Sequence, residues 1–294
     1  MNLISRRSAI GKITGSAAAF VAAANLSLRL KAADDSVGSK LKGRVNHSVC
    51  KWCYPKVELE EFCKEAKRIG LRSIELLEVK DLPTLKKYDL TCAMVSGVPG
   101  GIPNGLNRIE NHDKIVSWME NHIPSIAAEG APNVICFSGN RAGIDDQTGL
   151  KNCSIALKRI MPVAEKHKVT VCMELLNSRV NHKDYMCDKS EWGVELVNHV
   201  GSERFKLLYD IYHMQIMEGD LIATIKRSYE SFGHYHTGGV PGRAEIDDSQ
   251  EINYPAVVQA IVATGFKGFI AQEFIPKRTD KMASLKQGVE LCDV

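Results

Sequence analysis

The sequence contains no run of eighteen or more unbroken apolar residues, so nothing in its 294 residues reads as a membrane-spanning helix. It also lacks a strong charge of one sign. The 38 Lys and Arg stand against 35 Asp and Glu, a formal net charge of +3, which is too little to argue for nucleic acid or an anionic membrane surface. No Gly-rich phosphate loop follows an early strand, as a doubly wound nucleotide-binding sheet would usually show. The nine cysteines are odd in number and irregular in spacing, so no disulfide framework is implied. Cys50-Lys51-Trp52-Cys53 has no second cysteine pair to complete a zinc site, and its thiols are read as structural. Composition excludes collagen, coiled coil and low-complexity disorder. What remains is an ordinary globular balance, 44% hydrophobic and 25% charged, on a chain long enough to bury a large core.

One further absence is local. Residues 1–33 hold no acid at all, yet they carry Arg6, Arg7, Lys12, Arg29 and Lys31. These five account for the positive balance, since the remaining 33 basic and 35 acidic side chains leave residues 34–294 at −2. A basic start, the mild apolar run from Ser16 to Ala24 and a preponderance of small residues make an export signal. The paired arginines resemble a twin-arginine signal, which export machinery reads on proteins that have already folded. Ala22-Ala23-Ala24 and Ala32-Ala33 are the candidate cleavage points. The expectation is a signal over residues 1–33 and a periplasmic protein, or one tethered to the membrane if the signal is not cleaved.

From residue 43 onward, short apolar runs alternate with helical patterns. Strands are expected at Val45–Lys51, Ser73–Leu77, Leu90–Ser96, Asn133–Phe137, Val169–Leu176, Phe205–Tyr209, Gly233–Thr237 and Gly268–Phe274. Several are β-branched or nearly continuous in apolar residues, as buried parallel strands should be. Helices are expected at Val57–Ile69, Leu82–Tyr88, His112–Ala128, Leu150–His167, Ser190–His199, Leu221–Tyr229, Tyr254–Thr264 and Lys281–Leu291. Eight alternating pairs predict a single (β/α)8 TIM barrel over residues 43–294. Gly97-Val98-Pro99-Gly100-Gly101 reads as a flexible loop over a site.

In such a barrel the chemistry sits at the C-terminal strand ends. Four consecutive strands carry polar residues there: Glu174, Asp210, His236 and Glu273. An ionised carboxylate inside an apolar strand is costly unless paired or bound to a metal. Three carboxylates converging on one mouth would repel each other, and a divalent cation removes the conflict. The four residues form a mixed oxygen and nitrogen set suited to one Mn2+, Mg2+, Co2+ or Zn2+. His234 and His236 fall on the same face of their strand, so spacing does not choose between them.

These residues resemble the xylose-isomerase-like superfamily of sugar isomerases and epimerases, and the hydroxypyruvate isomerase branch above all. The likeness runs over about residues 43–294. Its most specific stretches are Gly239-Val240-Pro241-Gly242-Arg243, Glu251-Ile252-Asn253-Tyr254 and Glu174-Leu175-Leu176-Asn177. The resemblance implies one divalent metal on Glu174, Asp210, His236 and Glu273. It further implies proton transfer by the two glutamates through an enediolate, and substrate oxygens bound by His213 and Arg243. Where this chain has His236, hydroxypyruvate isomerases commonly have Gln, and ketose 3-epimerases have His in a similar His-x-His-Thr-Gly setting. Isomerisation and epimerisation of a small sugar or hydroxy-carbonyl compound therefore both stay open.

A keto-sugar or inosose lyase or dehydratase would use the same metal and the same carboxylates. A non-catalytic sugar-binding protein would not need both glutamates. An endonuclease IV-like DNA repair enzyme shares the barrel but needs three metals and extra histidines on early strands. Here the second and third strands end in Glu75–Glu78 and Ser96-Gly97, with no His. No nucleic-acid partner is expected, and a homo-oligomer stays open.

Overall fold

The computed structural model describes residues 41–294. The export signal expected at residues 1–33, with both candidate cleavage points, lies outside the described residues. Seven strands form one parallel sheet: β1 (Asn46–Cys50), β2 (Ser73–Glu75), β3 (Asn133–Cys136), β4 (Thr170–Glu174), β5 (Phe205–Asp210), β6 (Phe232–Thr237) and β7 (Phe269–Gln272). Their order is β2-β1-β7-β6-β5-β4-β3.

The strand expected at Leu90–Ser96 is not continuous. Residues 91–95 fill its place between β2 and β3 through single bridges, Ser73 to Thr91, Leu77 to Val95 and Val95 to Val134. The physical reason lies in side chains that take over the ladder's partners. Ser73 Oγ accepts from the Ala93 N–H at 2.8 Å, and Asn133 Nδ2 donates to the Ala93 carbonyl at 2.7 Å. With its middle bonded sideways, the segment pairs only at its ends. It still closes the ring of staves, and Met94, Ile135, Cys172 and Leu208 from four successive staves pack as one buried cluster inside it.

Nine helices flank the sheet among the described residues: α1 (Leu59–Ile69), α2 (Leu82–Lys86), α3 (His112–Ala128), α4 (Asp146–His167), α5 (Ser190–Val200), α6 (Ile211–Met217), α7 (Leu221–Ser228), α8 (Tyr254–Ala263) and α9 (Lys281–Cys292). None is long and apolar enough to cross a membrane. In α1 the buried residues Phe62, Cys63, Ala66 and Ile69 recur at helical spacing, and burying Phe62 alone stabilises by about 1.5–3 kcal/mol. Gly70 (φ 98°) and Gly201 (φ 70°) end α1 and α5 in the left-handed conformation that a side chain resists.

Two helices depart from the sequence pattern. α4 begins four residues before the expected Leu150, because Asp145 caps it by accepting from the Thr148 N–H at 2.8 Å. α6 was not expected at all. Its apolar run follows β5 without a break, and the signal for its start is Asp210, whose carboxylate caps it by accepting from the His213 N–H at 2.9 Å. All nine cysteines are buried and unbridged.

Candidate active site

The four residues expected at the barrel mouth come together. Glu174 ends β4, Asp210 ends β5, His236 lies one residue before the end of β6, and Glu273 follows β7 directly. All four are buried, and each offers one ligand atom within 4.8 Å of the others. His236 Nδ1 is the hub. It lies 2.6 Å from Glu273 Oε2, 3.3 Å from Glu174 Oε1 and 3.9 Å from Asp210 Oδ2. Burial opposes a charge on this ring, but Glu273 and its other neighbours outweigh it and raise the imidazole well above its ordinary value, so without a cation Nδ1 holds a proton among the carboxylates that a cation would displace. Converging acceptors of this kind fit a divalent cation, with three oxygens and one nitrogen as ligands.

The inner side of the site explains that orientation. Glu75 ends β2 and is fully buried beneath His236. Its Oε1 lies 2.8 Å from His234 Nε2 and 2.9 Å from His236 Nε2. A carboxylate at that distance accepts a hydrogen bond from Nε2 and makes Nδ1 the nitrogen that would serve as ligand once a cation displaced its proton. Burial alone would raise the Glu75 carboxyl, but the charges and hydrogen bonds of the two histidines prevail and hold it down to about 2. Both histidines of β6 therefore point inward, and only His236 reaches the ligand set.

Arg243 and Trp52 bind the carboxylates from the other side. Nη2 of Arg243 lies 2.7 Å from Asp210 Oδ2 and also donates to Glu273 Oε2. Its guanidinium rests over the Tyr212 ring, 4.8 Å from the centroid, while Nη1 has no partner. Arg243 adopts a left-handed backbone (φ 53°) in the turn after β6. Trp52, in the loop after β1, donates from Nε1 to Glu273 Oε1 at 2.7 Å.

These contacts separate the two glutamates electrostatically. Burial is the largest influence on Glu174 and, with the negative charge of Glu273 nearby, it pushes that carboxyl up to about 7. Burial opposes ionisation of Glu273 too, but Arg243, His236 and Trp52 outweigh it and hold this carboxyl well below the usual range. Two carboxyls with unlike proton affinities at one mouth are what an acid–base pair needs.

His213 belongs to the same site. Its Nδ1 accepts from the Asn177 backbone N–H at 3.2 Å and from Asn177 Nδ2 at 2.6 Å, so the ring proton sits on Nε2. Burial lowers this imidazole to about 3, which keeps it neutral and able to donate one hydrogen bond. A cavity of about 770 Å3 opens above these groups, with Glu174, His213, Arg243 and Glu273 in its lining. Gly97, Val98 and Gly101 also line it, as the loop expected over the site.

The structure thus gathers all six residues singled out from the sequence. It adds Glu75, Trp52 and Asn177, which that reading passed over. Glu75 carried a usable signal, being a carboxylate in an apolar strand like the other three.

Comparison with known proteins accords with this geometry. Residues 63–293 match the family model described as xylose isomerase-like TIM barrel. A 2-oxo-tetronate isomerase of Cupriavidus necator is 33% identical over 130 residues, 44% of this chain and 48% of that protein. The hydroxypyruvate isomerase of Escherichia coli is 32% identical over 108 residues, 36% of this chain and 42% of that one. The chain therefore spans a little under half the length of these curated relatives. A solved structure named as an AP endonuclease, family 2, from Brucella melitensis superposes with a TM-score of 0.75 at 22% identity. That match covers 84% of this chain and 99% of the other, and it speaks for the fold alone. A family model matched over most of the chain, on a closed parallel barrel with its polar residues at the strand ends, places this protein in the xylose isomerase-like TIM-barrel family.

Proposed function

We propose that this chain isomerises or epimerises a 2-hydroxy-carbonyl compound, such as a sugar or sugar acid, with one divalent cation held by Glu174, Asp210, His236 and Glu273. The observation that carries this reading is the convergence of three buried carboxylates on the unaligned Nδ1 of His236, directly below a cavity. The names of the relatives, a hydroxypyruvate isomerase and a 2-oxo-tetronate isomerase, support the same reaction class. Mn2+, Mg2+, Co2+ and Zn2+ all suit the donor set. When bound, the cation supplies a Lewis acid for the substrate carbonyl and a counter-charge for an enediolate.

The chain's own residues do the rest. One glutamate takes the proton from the carbon bearing the hydroxyl. The other returns a proton to the neighbouring carbon, giving isomerisation, or to the opposite face, giving epimerisation. Neutral His213 donates from Nε2 to a substrate hydroxyl. Arg243 offers its unpartnered Nη1 to a carboxylate or a developing oxyanion. Trp52 keeps Glu273 oriented through Oε1.

The deciding experiment is a screen of hydroxy-carbonyl compounds on metal-loaded protein in D2O. Deuterium uptake at carbon without loss of water is the expected result. Loss of water would mark a lyase or dehydratase instead, and no exchange with any compound would remove the proposal. Residues 1–33 are read as a twin-arginine-type export signal, which would put the enzyme in the periplasm, or on the membrane if uncleaved.

A further inference from the structure

The cavity above the carboxylates is divided in character. Its charged lining residues, Glu174, Arg243 and Glu273, come from β4 and from the turns after β6 and β7. Its apolar lining residues are Leu76, Val98, Ile102, Ile135, Phe137 and Leu176, which come from the ends of β2, β3 and β4 and from the loop at 97–102. Leu76 and Phe137 pack directly on the buried cluster of Met94, Ile135, Cys172 and Leu208. This wall is thus the top layer of the barrel core and is held in place by it. At the rim stand Trp52, Val180 and Ile275, with 43%, 69% and 43% of their surface exposed. Among the described residues six large hydrophobic side chains are 40% or more exposed, and three of them border this one opening. Apolar surface gathered at a cavity mouth marks a place where something apolar binds.

The apolar lining itself offers sugar hydroxyls no partner, and the uncharged polar side chains of the cavity are Trp52, Ser96, Asn181, His182, Tyr212 and His213. Asn181 Oδ1 is already taken, accepting from Asn177 Nδ2 at 2.8 Å and from the Tyr212 hydroxyl at 2.9 Å. Sugar hydroxyls pressed on the wall would lose their water without replacement. The cavity, at about 770 Å3, is also sized for a ligand much larger than a three-carbon hydroxy acid.

We propose that the substrate is a 2-hydroxy-carbonyl unit joined to an apolar, ring-sized group. The hydroxy-carbonyl end meets the carboxylates and His213. The apolar group lies against Leu76, Val98, Ile102, Ile135, Phe137 and Leu176. The class of reaction at the polar end rests on the function proposed above, whereas the apolar subsite rests on the wall alone.

Calorimetric titration of the metal-loaded protein with 1-phenyl-1,2-ethanediol and with 1,2-propanediol tests the subsite without turnover. The two diols share one polar end and differ in a phenyl against a methyl group. The phenyl compound should bind about 10-fold tighter or more, with a negative heat-capacity change. Val180→Asp, at an exposed rim position, and Phe137→Ser, on the wall, should both erode that preference. Equal affinities, tighter binding of D-fructose than of the phenyl diol, or no saturable binding of the phenyl diol would overturn the proposal. A second arm follows deuterium exchange at the hydroxymethyl carbon of 2-hydroxyacetophenone and of hydroxyacetone. If the phenyl diol binds as expected and neither ketone exchanges, the reaction reading fails while the apolar subsite stands. Faster exchange of hydroxyacetone at equal concentration would count against the apolar subsite.

Discussion

Nε2 of His236 lies 2.9 Å from Oε1 of Glu75, a residue 161 positions away and fully buried. That single contact decides what His236 presents to the mouth of the barrel. With Nε2 donating to Glu75, the ring turns Nδ1 toward Glu174, Asp210 and Glu273, where a cation would take the place of its proton. Glu75→Gln should therefore weaken cation binding although Glu75 is not itself a proposed ligand. The amide oxygen can still accept from both histidines in the place of Oε1, but it lacks the negative charge that holds their protons on Nε2. A loss of about 10- to 100-fold in Mn2+ affinity is expected, read by calorimetry on protein shown by circular dichroism to be folded. Unchanged affinity in the folded variant would remove Glu75 from this role.

Arg243 competes with a cation for the same carboxylates. It already donates to Asp210 Oδ2 and Glu273 Oε2, two of the four proposed ligand residues. Arg243→Ala should leave those carboxylates without a counter-charge and destabilise the metal-free protein by about 3–5 kcal/mol. Metal affinity should move the other way. A unit charge about 4 Å away is worth roughly 4 kcal/mol at an effective dielectric near 20, so tightening by more than about 10-fold is expected. Turnover should fall, because Nη1 no longer reaches the substrate. Thermal melts with and without Mn2+ check the pair of effects, and a variant with weaker metal binding would contradict them.

Glu174 makes metal binding depend on pH near neutrality. Burial is the main cause that raises its carboxyl to about 7. The proton must leave before this oxygen can act as a ligand. Affinity for Mn2+ should therefore increase as pH rises through about 7, and the raised imidazole of His236, which must also give up its proton to a cation, continues the rise above it. Stability of the metal-free protein should show the opposite trend. A carboxyl whose folded value is raised adds its stability fully below the ordinary carboxylate range, and that stability is lost as pH rises through about 7. Urea unfolding with a chelator present, at pH 4.5 and pH 8, measures this, and greater stability at the higher pH would contradict the sign.

Much of this site was legible because a charge inside an apolar strand is a local anomaly. Glu174, Asp210, His236 and Glu273 each stood out in that way. Glu75 is the same anomaly on the second strand, and its partners His234 and His236 lie 159 and 161 positions away, beyond any local pattern. Residues 91–95 read as a strand from their apolar run. What interrupts them is Ser73 and Asn133, side chains on neighbouring staves whose reach no local pattern records. α6 was hidden because Ile211–Met217 continues the apolar character of β5, and only the cap at Asp210 separates the two. The link from Trp52 to Glu273 spans 221 positions and exists only once the ring of strands has closed.

Residues 1–33 carry a separate prediction about location. Arg6 and Arg7 are the paired arginines of the proposed twin-arginine signal. Arg6→Lys with Arg7→Lys keeps the charge and removes the motif that export machinery reads. The double variant should remain in the cytoplasmic fraction, while the unmodified chain appears in the periplasm or on the membrane. Equal distribution of the two in cell fractionation would refute the signal.

Glu174→Gln and Glu273→Gln should each abolish turnover, for reasons that differ. Glu273 is held ionised by Arg243, His236 and the indole of Trp52, so it carries no proton of its own at any ordinary pH. Glu174 titrates near neutrality without a cation, and a bound cation would shift it toward the ionised form that accepts a proton. Each amide keeps the shape of the side chain and removes its proton chemistry. The loss should be at least about 10²- to 10⁴-fold in kcat, the usual contribution of a positioned acid or base. Because both residues are also proposed ligands, bound metal must be quantified in the same samples. A variant saturated at high Mn2+ that still fails to exchange substrate protons with D2O would locate the defect in proton transfer. Substantial turnover in either variant would show that proton transfer does not run between these two glutamates.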